Sequence, residues 1–302
     1  MPDAPPNPPP ETADIRVDPH LGTRVHVVGS RQGRPNLPAD GCPFCVGGLE
    51  APEPYDVRVI PNRWPAMHPD RCEVVLYTPE HDASLWQLGA SGVRRVVDTW
   101  AERTATLGAR HDVDYVLCFE NRGPDVGATI SHPHGQIYAY DHVPERPRHL
   151  LDAGWRPDVR CDPHNRNTSE LPSRFVSGHG DWFAYVPDAA VYPVAVTLAP
   201  RRHVADLPSL PPDGRDELTA LLIDVLRRLD RIFDRPLPYM MWVNQQPTDG
   251  APWPTSWLSI DIVSPWRAAG VPRYVAAAEV ACGEYFNPIA PETLATALRE
   301  SS

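Results

Sequence analysis

Ser131-His132-Pro133-His134-Gly135-Gln136 places two imidazoles and a primary amide within five residues of a 302-residue chain. Ile137-Tyr138-Ala139 extends the stretch as an apolar, strand-like run. Side chains in a strand alternate faces with period two, so His132, His134 and Gln136 are expected to project from one side. Such a face suits phosphate chemistry: one imidazole can bind a metal or be fixed in place while the other attacks phosphorus. Gln136 cannot act as an acid, but its NH₂ can donate to phosphoryl oxygens as charge shifts onto them. Upstream, Asn121-Arg122-Gly123 and Gly127 form a glycine-bearing turn through which backbone can approach a phosphate closely.

Cys42-Pro43-Phe44-Cys45 is the second group with chemistry in it. A C-x-x-C pair is either a redox couple or half of a zinc site. The redox reading wants the motif at the start of a helix, whereas Gly47-Gly48 follows here and a helix is not expected. The chain has no second C-x-x-C, so any further ligands must be distant in sequence. The other cysteines are Cys72, Cys118, Cys161 and Cys282, and six thiols in a chain read as cytosolic do not suggest a disulfide framework. Cys72 and Cys118 sit in apolar runs and read as small core residues.

Lysine does not occur, so a Walker lysine, a pyridoxal Schiff base and a lysine nucleophile are all excluded. Phosphate must be held by Arg, His or backbone N–H groups. A net charge of -11 argues against a general nucleic-acid binder. No apolar run approaches the length of a membrane span, and the acidic, proline-rich Met1 to Glu11 is neither a secretory nor a transit signal. These features predict a cytoplasmic protein with a disordered tail over residues 1–12.

The elements that would position these groups occur twice in the same order. Strand Glu73 to Tyr77 leads through Pro79 to His81, then to a helix near Leu85 to Arg110, strand Tyr115 to Phe119, Asn121, the glycine turn and the His132 strand. Strand Val194 to Leu198 leads through Pro200 to His203. A helix near Gly214 to Asp234 follows, with Leu218, Leu221, Leu222, Val225 and Leu229 on one face, then strand Tyr239 to Val243, Asn244, a Pro/Gly turn and strand Trp257 to Val263. Where the first half has His132 and His134, the second has Ser259 and Asp261. The predicted organisation is residues 13–146 as a catalytic half, 147–172 as a polar connector and 173–302 as a degenerate second half.

The motif His132-Pro133-His134-Gly135-Gln136, with Asn121 and the glycines at their offsets, resembles the histidine-triad superfamily. Gln136 at the third triad position is similar to the galactose-1-phosphate uridylyltransferase family in particular. The resemblance implies an α+β fold, a duplicated histidine-triad unit with a mostly antiparallel half-barrel sheet and packed helices. It implies a closed structural Zn²⁺ site of Cys42, Cys45, His81 and His132, and His134 as nucleophile with Gln136 beside it. Arg31 and Arg34 match diphosphate contacts, Asn62 a nucleoside contact, and Asn121, Gly127 and Thr129 the phosphate turn. Arg63 departs from an acidic residue found in some relatives. Arg273, Tyr274 and Glu279 match a sugar-reading motif, with Arg273 where Lys is usual and Ala277 where Gly is common. In the family the two N-terminal arginines and this motif come from a partner copy, which implies a homodimer with shared active sites. Many bacterial relatives carry a second metal on histidines of the second half; Ser259 and Asp261 replace them, so no second metal is expected. The implied reaction is ping-pong exchange of UMP between UDP-glucose and galactose-1-phosphate. A related phosphorylase or hydrolase of ADP-sugars or dinucleoside polyphosphates, and an inactive zinc-stabilised binding protein, are the alternatives, separated by the acceptor.

Overall fold

The structure, a computed structural model, describes residues 14–29, 31, 41–165 and 170–302. Arg34 and the expected tail over 1–12 lie outside the described residues. The chain opens with a hairpin, β1 (Asp14–Val17) and β2 (Arg24–Val27). The first half continues with β3 (Arg58–Pro61), β4 (Cys72–Leu76), α1 (Gly89–Gly108), β5 (Tyr115–Arg122) and β6 (His134–Tyr140). After α2 (Glu145–Asp152) come β7 (Phe175–His179), β8 (Trp182–Tyr185), β9 (Val194–Pro200), α3 (Pro212–Arg231), β10 (Tyr239–Asn244) and β11 (Ser259–Ser264). A short ribbon of β12 (Trp266–Ala268) and β13 (Val271–Pro272), then α4 (Ala277–Cys282) and α5 (Pro291–Glu300), close the chain.

Nine strands form one sheet in the order β3-β4-β6-β5-β10-β11-β9-β8-β7. Every neighbouring pair in it is antiparallel. About the central β5–β10 pair, β6 and β11, β4 and β9, and β3 and β8 hold matching places, which is the duplication read from the sequence. The registers correct one detail of it. Phe119 pairs with Gln136, and Trp242 pairs with Asp261. Asn121 and Asn244 each lie two residues beyond those partners, so matching the asparagines puts Asp261 in the place of Gln136 and Ser259 in the place of His134. The match of Ser259 and Asp261 to His132 and His134 is thus two residues out of register, because period-two alternation looks the same after a two-residue shift.

α1 and α3 pack together on one face of the sheet. Val93, Val96, Val97 and Trp100 of α1 and Leu218, Leu221, Leu222, Val225 and Leu229 of α3 are buried there, as the helical spacing of these apolar residues requires. Ile137 and Ala139 of β6 join this core. By alternation, His134, Gln136, Tyr138 and Tyr140 face the opposite side, where all four are half-buried. The expected connector is not wholly irregular, since α2 crosses its start. Pro147 is tolerated because first-turn N–H groups have no intrahelical acceptor to lose. No helix among the described residues is long and apolar enough to cross a membrane.

Candidate active site and metal cluster

β6 lies between β4 and β5, with His134 opposite Leu76 and Gln136 opposite Val74 and Phe119. A side chain on an internal strand is held from both sides by backbone hydrogen bonds. Gly135 permits unusually close packing behind it: a Cβ there would stand 2.0 Å from the Tyr77 hydroxyl oxygen and 3.1 Å from the Phe119 carbonyl. The strand starts at His134, so the alternation does not extend to His132, which lies in the bend ahead of it. His132 is completely buried while His134 is half-buried, and the Phe44 ring packs edge-on against both, at 6.1 and 5.1 Å.

His134 Nδ1 is 2.7 Å from the His132 carbonyl oxygen. A carbonyl only accepts, so Nδ1 carries the proton and the basic lone pair resides on Nε2. His134 and Gln136 line a cavity of 510 Å³ together with Phe44, Glu50, Asn62, Arg63, Trp64 and Thr129. Asn62 Nδ2 donates to Gln136 Oε1 at 3.2 Å, and Asn62 Oδ1 accepts from the Trp64 N–H at 2.9 Å. With its oxygen so engaged, Gln136 is oriented to use its NH₂ as a donor. Asn121 and Gly127 belong to the strand end and turn leading to Thr129. Gly123 (φ 90) and Gly127 (φ 82) take the left-handed conformations this turn needs. Trp266 Nε1 anchors the turn from the second half by donating to Asp125 Oδ2 at 2.6 Å.

The ligand atoms of Cys42, Cys45, His81 and His132 all lie within 4.8 Å of one another. A tetrahedral zinc with its usual bond lengths separates its ligands by about 3.3–3.8 Å. His132 Nδ1 is 3.7 Å from Cys42 Sγ and 3.6 Å from Cys45 Sγ, and His81 Nδ1 is 3.5 Å from Cys45 Sγ. The donor set therefore fits the metal. His132 Nε2 donates to the Thr78 carbonyl at 2.7 Å, turning Nδ1 toward the thiols. Burial holds this imidazole below its ordinary value, in the neutral form a ligand needs. Burial and the adjoining Cys42 push the Cys45 thiol up. The sequence reading missed Tyr55, whose hydroxyl lies 2.7 Å from the Phe44 carbonyl, 2.8 Å from that of Thr78 and 3.0 Å from His132 Nε2. It gathers the cysteine loop and His132 at one point, and no local pattern announces it.

Other expected residues lie elsewhere. Arg31 borders a separate cavity of 260 Å³ with His26, Met67, Tyr138 and Tyr140, further along the same face of β6. Arg273 and Glu279 form an ion pair away from the His134 cavity. Arg273 Nε donates to the Phe286 carbonyl at 2.8 Å, while Glu279 accepts from the backbone of Ala276 and Phe286. The pair fixes a loop on which Tyr274 is 80% exposed. In the second half, Asp261 accepts from Thr197 Oγ1 at 2.7 Å and Asn244 Nδ2 at 3.0 Å, with Arg146 at 3.4 Å.

Residues 66–144 match the family model described as galactose-1-phosphate uridyl transferase, N-terminal domain. The chain is 32% identical over 312 residues to a galactose-1-phosphate uridylyltransferase of Thermotoga maritima, covering 95% of this chain and 98% of the relative. It is 39% identical over 250 residues to one of Streptomyces lividans, covering 78% and 71% of the two chains. A solved structure described as that of a uridylyltransferase superimposes with a TM-score of 0.82 at 27% identity, covering 95% of this chain and 97% of the other.

Proposed function

Since the chain belongs to the galactose-1-phosphate uridylyltransferase family, we propose that it exchanges UMP between UDP-glucose and galactose-1-phosphate with His134 as the nucleophile. His134 Nε2 attacks the α-phosphorus of UDP-glucose, a nitrogen–phosphorus bond forms, and the bond to the glucose-1-phosphate oxygen breaks. Galactose-1-phosphate then attacks the same phosphorus and the imidazole leaves. Both leaving groups in this exchange are weakly basic, so no acid is required, and a neutral donor suffices in the third position. Gln136, its oxygen held by Asn62, supplies N–H groups for the phosphoryl oxygens. The observation that carries the reading is the 2.7 Å contact from His134 Nδ1 to the His132 carbonyl. It fixes the tautomer that a nitrogen nucleophile needs.

The metal is zinc in this reading, held by Cys42, Cys45, His81 and His132, and its role is structural. The protein works as a cytoplasmic homodimer, residues 13–146 forming the catalytic half and 173–302 the degenerate one. Val17, Leu21 and Val25 of the hairpin, and Tyr274, Val280 and Phe286 near the C-terminus, are large apolar side chains left exposed. A second copy that covers them would bring Arg31 and the Arg273-Tyr274-Glu279 loop to the neighbouring cavity. Incubation with UDP-glucose labelled in its α-phosphate should leave acid-labile, base-stable label on His134. His134→Gly should fold and bind UDP-glucose but not exchange. Label on another residue, or near-normal turnover by that variant, would overturn the assignment. Transfer to inorganic phosphate or water in preference to any hexose phosphate would point to a phosphorylase or hydrolase instead.

A further inference from the structure

We propose that Glu50, oriented by Arg63, reads the ribose hydroxyls of the nucleotide bound in the His134 cavity. The role presupposes the nucleotide chemistry proposed above and adds a specificity-determining residue to it. Among the described residues lining that cavity, Glu50 and Arg63 are the only carboxylate and the only guanidinium. Arg63 Nε stands 2.8 Å from Glu50 Oε1, and the glutamate side chain is 19% exposed against 50% for the arginine. The carboxylate is therefore the inner member of the pair, and the arginine closes over it from the solvent side.

The chemistry of the pair limits what it can meet. A carboxylate accepts hydrogen bonds and donates none, and it repels phosphate. It needs paired O–H or N–H donors. A nucleotide's ribose offers two adjacent hydroxyls, while the apolar walls of Phe44, Leu49, Ile60 and Ile130 are suited to the flat base. A volume of 510 Å³ lies within the range of about 300–1,000 Å³ typical of small-ligand sites.

The acid is also in place before substrate arrives. Its own N–H donates to the Pro43 carbonyl at 2.9 Å, inside the Cys42-Pro43-Phe44-Cys45 turn. Gly48 lies so close to that turn that a Cβ would stand 2.6 to 2.8 Å from the carbonyls of Cys42, Pro43 and Cys45. The loop carrying Glu50 is thus folded tightly onto the metal-binding turn, and a rigid support of this kind keeps a recognition group at its working geometry.

The test compares UMP with 2′-deoxy-UMP and 3′-deoxy-UMP by titration calorimetry, using the full chain and its Glu50→Gln variant, with exchange kinetics alongside. Wild type should prefer UMP to at least one deoxy analogue by about 10- to 100-fold, the worth of a hydrogen bond to a charged acceptor. In Glu50→Gln that preference should shrink toward unity, because UMP affinity falls while affinity for the same deoxy analogue is nearly unchanged. Should the amide variant fold poorly, Glu50→Asp keeps the charge but withdraws it, and should weaken UMP selectively in the same way. Equal weakening of UMP and both analogues, or absence of any preference in wild type, would overturn the role. So would a change in discrimination among hexose-1-phosphates with none among the nucleotides. If the ribose preference behaves as stated while no hexose phosphate accepts UMP, the transferase reading fails and the Glu50 role stands.

Discussion

Alanine at Gly135 probes whether close packing behind His134 sets its position. The added Cβ would meet the Tyr77 hydroxyl oxygen at 2.0 Å, its Cζ at 2.8 Å and the Phe119 carbonyl at 3.1 Å. Tyr77 has little room to retreat: it is 2% exposed, and its ring packs edge-on against Trp100 at 6.0 Å. Phe119 is tied to Gln136 in the β5–β6 pairing. The methyl must therefore be absorbed by displacing β6. Overpacking of this kind costs about 1–3 kcal/mol, several degrees of Tm in a chain of this size. A shift of about 1 Å at a reacting group can cost about 100-fold in rate, so kcat should fall about 10- to 100-fold in protein that remains folded. Tyr77→Phe removes the oxygen responsible for the shortest contact. In that background the alanine should cost less, with a coupling of about 1 kcal/mol in the double-mutant cycle. Thermal unfolding and exchange of label between UDP-glucose and glucose-1-phosphate measure the two effects. Wild-type stability and activity in Gly135→Ala, or an identical penalty with and without the Tyr77 hydroxyl, would refute the packing argument.

The Cys42→Ser, Cys45→Ser double variant should lose its metal, about one zinc per chain in the parent, and should unfold at lower temperature, because structural metal binding is folding free energy. Stoichiometric metal retained by that variant would disprove the ligand set. Glu120, fully buried beside Tyr239 and Tyr77, has its carboxyl pushed up by burial to about 7 from 4.5. The native state then holds this proton more tightly than the unfolded chain, so stability is undiminished below about pH 4.5 and declines as pH rises toward 7, by up to about 3 kcal/mol. Glu120→Gln should flatten the fall in Tm between about pH 5 and 8, and an unchanged slope would show that another group is responsible.

How much of this was legible in the sequence depended on how local each feature is. The buried stripe of α3 and the half-buried face of β6 follow from periodicity alone, since one helix or strand fixes which side chains share a face. The cysteine pair was visible through its spacing. His81 and His132 lie 36 and 87 residues from Cys45, and only the resemblance named them as ligands. Tyr55 and Glu50 were out of reach for the same reason: each matters through a partner that only folding brings near. His132 was misplaced on the strand face because alternation cannot tell where a strand begins. The helix α2 was hidden by prolines that read as connector but sit where a first helical turn accepts them.

The contacts around His132 imply a division of labour between the two halves. Its imidazole belongs to the Cys42, Cys45, His81 and His132 group that could hold a metal, and its carbonyl holds the proton of His134 Nδ1. The residue whose carbonyl fixes the tautomer of His134 is therefore itself one of the four that could hold the metal, and loss of metal should reach His134 through geometry before it reaches the fold. The second half offers no imidazole in the place of His134: Ser259 stands there and is fully buried, while Asp261, in the place of Gln136, is engaged by Thr197, Asn244 and Arg146. Its contributions to the site are mechanical. β10 pairs with β5, Tyr239 donates to buried Glu120 at 2.7 Å, and Trp266 holds Asp125 in the turn before Thr129. A half that keeps the sheet and gives up the imidazoles can still be indispensable, because the strand bearing His134 is only as well placed as the sheet that continues beyond it.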